Sequence, residues 1–147
     1  MSIRTALRTV LAVVSLSHLL LGLGAVIAPA GTVAQLAAAF YGAQLSLSPA
    51  LHHLIRMLGA YMLAVGLMSL MAYLNPEKNQ AVVIGVVALL LLRVLQRLVF
   101  AAEIHDAFNV SSNQLWAQSA FFLAIAIALI VFFPRKASAG QFSSGPH

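Results

Sequence analysis

Long uncharged apolar runs separated by short polar breaks make up most of the chain, and their lengths set the first expectation. Thr9 to Ala28 carries no formal charge and stops at Pro29 and Gly31. Met57 to Leu74 is uncharged and ends at Asn75-Pro76, a pair that stops a helix. Ala81 to Ala102 is apolar except for Arg93, Gln96 and Arg97, and Leu115 to Phe133 closes at Pro134. A membrane-crossing helix needs about 20 mostly apolar residues. The runs therefore predict four spans, at about 9–28, 52–74, 81–104 and 114–133. Lipid offers the backbone no hydrogen-bond partner, so each span must be helical. The expected fold class is all-α, an integral membrane four-helix bundle formed by residues 1–136.

The breaks between runs add detail. Gly31 to Ser48 is longer than a turn, and Val33, Leu36, Ala37, Phe40 and Tyr41 recur in it at helical spacing. This predicts a short interfacial helix on the outer membrane surface, or a helix that caps the bundle. Residues 137–147 are small and polar without periodicity and read as a disordered tail, so His147 is set aside as a ligand. Arg4 and Arg8 ahead of the first run, with Ala28-Pro29-Ala30 after it, resemble a secretory leader and its cleavage site. The expectation here is a retained helix.

Composition agrees with a membrane setting. Of 147 residues, 62% are hydrophobic and 7% charged, against roughly 25% charged in a soluble domain. So few polar side chains cannot cover a water-facing surface. Cysteine is absent, which removes disulfides, thiolate nucleophiles and thiolate metal sites. The net charge of +5 is scattered between the spans rather than gathered in a patch, which argues against nucleic-acid binding. Arg4, Arg8, Lys78, Arg135 and Lys136 all fall on the side that holds the two termini, while the opposite loops, Gly31–Ser48 and Asp106–Asn113, contain no Lys or Arg. The positive-inside rule then places both termini in the cytoplasm.

Charge inside a span is the main functional signal, because inserting it costs about 2.5–3.5 kcal/mol even on a lenient scale. At about 100° per residue, Arg93, Gln96, Arg97 and Glu103 fall within one arc roughly 120° wide, a polar face expected to point into the bundle. His18 in the first span falls near the depth of Arg93 and Arg97, and Arg56 near that of Phe100. Leu11, Ser15, His18, Gly22 and Ala25 share a face, and with Gly59 and Gly66 they allow close backbone approach between helices. The outer half of the bundle is thus expected to enclose a polar cavity. Its candidate ligand-binding residues are Arg93, Arg97, Gln96, His18, Arg56, Glu103 and Tyr61, the last of which enters through the resemblance given below. Arginine does not escape burial by losing its proton, and it suits bidentate contact with carboxylate or phosphate. The plainer alternative is an Arg56–Glu103 ion pair, a snorkelling Arg97 and an Arg93 held by backbone carbonyls.

Metal chemistry has weaker support. His52, His53, His105 and Asp106 have suitable donor atoms and share one membrane level with Glu103, but adjacent histidines point about 100° apart on a helix. No paired metal-ligand spacing occurs within a helix. Neither a metal nor a cofactor is expected, and no catalytic triad or phosphate-binding glycine loop is present.

The span spacing, the Arg56-x-x-Gly59 start of the second helix and the arginines of the third resemble the BphX-like family, small four-helix bacterial membrane proteins of unknown function. That resemblance implies a bacterial inner-membrane location. Arg56, Gly59 and Tyr61, with acidic Glu103 ending the third helix, are also similar to the four-span scaffold family of sterol biosynthesis. This second likeness implies an accessory role beside partner enzymes.

Three functions follow as expectations. The first is a non-catalytic protein that binds a hydrophobic or anionic lipid-like ligand and serves a partner. The second is a small oligomeric anion transporter or channel. The third is a membrane enzyme acting on an apolar substrate, with His18, Glu103 or His105 as acid–base groups. The expected partners are membrane lipids, an anionic amphiphile, and a partner membrane protein or further copies of the chain, with no nucleic acid.

Overall fold

A computed structural model describes residues 2–133. Six helices follow in order: α1 (Ile3–Ile27), α2 (Ala30–Tyr41), α3 (Pro49–Leu74), α4 (Gln80–Val99), α5 (Ala101–Phe108) and α6 (Ser112–Val131). There is no strand among the described residues. The expected tail, with Arg135 and Lys136, lies outside them.

Local chemistry sets the helix ends. Ser2, Ser48 and Ser111 cap α1, α3 and α6, each accepting a backbone N–H with its hydroxyl. Pro49 follows its cap at the start of α3, where no helical N–H is needed. Gly42 ends α2 in the left-handed region at φ 64°, a conformation glycine adopts without cost.

α1, α3, α4 and α6 are long and apolar enough to cross a membrane. Their outward faces carry Leu16, Leu20, Leu67, Leu92, Phe121 and Val131, all exposed. Such continuous apolar cover suits lipid and would aggregate in water. The arrangement is that of an integral membrane bundle.

The spans lie in two antiparallel pairs. α1 and α3 form the most extensive contact in the molecule, and glycines make it possible. A Cβ built on Gly22 would lie 2.9 Å from the Gly59 carbonyl oxygen, and one on Gly59 would lie 2.8 Å from Ala25 Cβ. Ser15 donates to the Gly66 carbonyl at 2.9 Å inside this seam. At the end holding the N-terminus, Arg4 pairs with Glu77 and Arg8 donates to the Leu74 carbonyl.

α4 and α6 form the second pair. The two pairs meet through a core of Leu7, Leu11, Val14, Ala72, Val83, Val86, Leu90, Ala126 and Leu129. All of these residues but Leu90, at the middle of α4, belong to the half of their helix nearest the N-terminus and the Asn75–Asn79 turn. That half is filled. The other half is hollow.

One sequence expectation changes here. The third span does not run to 104: the helix breaks at Phe100 (φ −104°, ψ 29°) and restarts as α5. The wheel that gathered Glu103 with the arginines assumed one continuous helix, and the break removes that premise. A helix, α2, does form within the Gly31–Ser48 connection, with Val33, Leu36, Ala37 and Tyr41 lining the hollow end of the bundle, while Phe40 of the expected stripe is exposed.

A candidate anion-binding cavity

The hollow half holds a cavity of about 480 Å³, within the range of about 300–1,000 Å³ common to small-molecule sites. Leu21 and Ala25 of α1, the inward stripe of α2, and Leu51, Leu54, Ile55, Leu58 and Met62 of α3 form its apolar walls. Ile104, Phe108 and Val110 close it beside α5. Polarity is confined to Tyr41, Arg93, Gln96, Arg97 and Gln118. The site is an apolar chamber with a cationic end.

The 3.6-residue repeat puts Arg93 and Arg97 on one face of α4, with Cβ atoms about 5–6 Å apart. Like charges at this spacing repel, and aromatic rings offset part of that cost. The Phe122 ring of α6 lies against both, 4.8 Å from the Arg93 guanidinium carbon and 5.4 Å from that of Arg97. Tyr41 adds a second ring, 5.8 Å from Arg97. Each such contact contributes about 0.5–2 kcal/mol, more as water is excluded. Arg97 also donates to Gln118 Oε1, and Arg93 reaches the Tyr41 hydroxyl at 3.5 Å.

Two further bonds hold α2 over the chamber. Gln118 Nε2 donates to the Phe40 carbonyl at 3.2 Å, and Gln44 N donates to the Phe108 carbonyl at 2.8 Å. Gln118 therefore binds the arginine end and the cover at once. Gly42 lies so close to the Gln114 side chain that a Cβ there would collide with its amide.

All three acidic residues of the chain, Glu77, Glu103 and Asp106, lie within the described region. Glu77 is engaged with Arg4, and among the described residues neither Arg93 nor Arg97 has a carboxylate partner. Glu103 and Asp106 are exposed on α5.

The sequence-selected residues separate into two groups. Arg93, Gln96 and Arg97 line the chamber. Arg56, Glu103 and Tyr61 do not: all three are exposed, Tyr61 at 66%, and no Arg56–Glu103 ion pair occurs among the described residues. His18 is buried in α1, outside the lining. Its Nδ1 is 2.8 Å from the Val14 carbonyl, which can only accept, so Nδ1 carries the proton there. Its Nε2 is buried with no partner among the described residues.

For the metal candidates, His53, His105 and Asp106 are exposed, His105 faces the Val110 carbonyl at 2.9 Å, and His52 is half-buried. Among the described residues no three acidic or histidine side chains converge on a common point.

Sequence reasoning missed Phe122, one turn beyond Gln118, and treated Tyr41 as part of an apolar stripe. The only available signal was an aromatic side chain at the depth of the arginines. No protein-family model, curated protein or solved structure matches the chain.

Proposed function

We propose that this protein binds an anionic amphiphile in the α1–α6 chamber, without catalysis, and presents it or responds to it beside a partner in the membrane. One observation carries the reading: two arginines stand at the polar end of an apolar cavity with no carboxylate beside them among the described residues. A desolvated positive charge without a counter-ion is costly, and an anion bound there offsets that cost. The apolar walls would take a hydrocarbon or ring system, and the guanidinium end its headgroup.

Native mass spectrometry of the detergent-purified protein tests this. The wild type should retain a specific acidic lipid or metabolite, and an Arg93→Ala/Arg97→Ala variant should lose it. Identical bulk lipid on both would remove the proposal.

The proposal includes an orientation, with both termini in the cytoplasm and the chamber in the outer half. Arg4, Arg8 and Lys78 support it through the positive-inside bias. The chain has no cysteine, so single replacements report cleanly. In intact cells, a membrane-impermeant maleimide should label Asn113→Cys and spare Asn79→Cys. The reverse pattern would invert the topology.

A further inference from the structure

The charge at the chamber's polar end narrows the headgroup, an inference that rests on the anionic-amphiphile reading. Arg93 and Arg97 bring two fixed positive charges against a single ring, Phe122. Both are partly buried. Glu77 is engaged with Arg4, and Glu103 and Asp106 are exposed on α5 outside the lining. The other polar groups at this end, Tyr41, Gln96 and Gln118, are neutral.

A carboxylate or a phosphodiester brings one negative charge and leaves one guanidinium uncompensated in a poorly screened site. A phosphate monoester brings roughly −1.5 to −2 at pH 7 and three acceptor oxygens. Donor supply agrees. Each guanidinium is a fork of N–H donors without an acceptor. Arg93 gives one N–H to the Tyr41 hydroxyl and Arg97 one to Gln118 Oε1. The remainder exceeds what the two oxygens of a carboxylate need and suits three.

We infer that the chamber selects a dianionic headgroup, a phosphate monoester carried on a single apolar chain, over monoanionic amphiphiles. One chain rather than two follows from size, since a chamber of about 480 Å³ lies in the range of sites for drug-sized ligands. Inorganic phosphate shares the headgroup chemistry but leaves the leucine-lined walls unfilled.

The test titrates the full-length protein in neutral maltoside detergent with four probes, read by calorimetry. These are dodecyl phosphate, dodecyl methyl phosphate (one charge at every pH used), dodecanoate and inorganic phosphate. At pH 8 dodecyl phosphate should bind about tenfold more tightly than its methyl ester, the equivalent of one added charge-assisted hydrogen bond. That ratio should shrink toward one at pH 5, because the second phosphate proton titrates near pH 6. Dodecanoate should behave like the methyl ester, and inorganic phosphate should bind at least about tenfold more weakly than dodecyl phosphate, since burying each apolar CH₂ contributes further.

Equal, pH-independent affinities for the three amphiphiles, lost in Arg93→Gln/Arg97→Gln, would overturn the dianion preference and leave the amphiphile reading standing. Inorganic phosphate binding as tightly as dodecyl phosphate would remove the single-chain part. Failure of every probe to bind would sink both readings. The pH comparison uses the unmodified protein, so it decides the matter even where the glutamine variant does not fold.

Discussion

The α1–α3 and α4–α6 pairs are built from the same kind of apolar helix and solve different problems. In α1–α3, glycines let two backbones touch, and a serine hydroxyl bonds across the seam at 2.9 Å. Lipid tails are as apolar as leucine, so burying apolar area supplies no drive between such helices, and close packing has to supply it instead. In α4–α6, arginines, a glutamine and a phenylalanine occupy the half of the contact that borders the chamber. That side accepts a cost in charge, and its aromatic and amide partners offset only part of it. One pair is a stiff wall and the other a chemically equipped one. The chamber exists because the two pairs meet through a full core at only one end.

The largest effect should come from putting bulk into the stiff wall. A Cβ on Gly59 already meets Ala25 Cβ at 2.8 Å and the Gly22 carbonyl at 2.9 Å. Gly59→Leu should therefore cost about 3 kcal/mol or more in reversible unfolding from mixed micelles. A Cβ on Gly85 of α4 meets no other side chain or element within 4 Å among the described residues, and Gly85→Leu should change stability by less than about 0.5 kcal/mol. Equal costs at the two sites would erase the distinction between the pairs.

A smaller and different change is expected at the equipped wall. Phe122→Leu keeps an apolar side chain but removes the ring that both guanidinium groups contact. Affinity for an anionic amphiphile should fall by about 1–2 kcal/mol, roughly five- to thirtyfold. The melting midpoint should fall as well, because the same ring contacts offset arginine repulsion before any ligand binds. A loss of stability with unchanged binding would make the ring a packing element and the arginines structural.

Ser15→Ala should have the smallest effect. It removes the hydroxyl that bonds Gly66, and interhelical bonds in membranes average about 0.6 kcal/mol. Amphiphile binding should be untouched, because Ser15 belongs to the seam and not to the chamber.

The spans were readable because a bilayer demands long apolar runs, and Arg93, Gln96 and Arg97 stood out because charge interrupts one of them. The glycine seam was readable as well, from small residues recurring on one face of each helix. The partners of the arginines were not. Tyr41 and Phe122 act through their ring faces, and an aromatic residue within an apolar stretch has the same sequence appearance whether it meets lipid, core or a cation. The break at Phe100 was hidden for another reason. Neither proline nor glycine marks it, so a continuous wheel drew Glu103 into a group it does not join. Arg56 was placed by depth alone, which fixes the height of a residue along the bundle but not the direction in which it projects.

The serine–glycine bond across the seam also sets a timetable for biosynthesis. Its two residues are 51 positions apart, so at ribosomal rates Gly66 is made about 3–10 s after Ser15. During that interval a first helix already delivered to the bilayer has its stripe of small residues without the surface it is shaped to fit. The chain between Ile27 and Pro49 is the tether that keeps α1 within reach of α3 until the seam can close. Synonymous changes that slow translation between Gly31 and Gly66 would lengthen this exposed period without altering a single side chain.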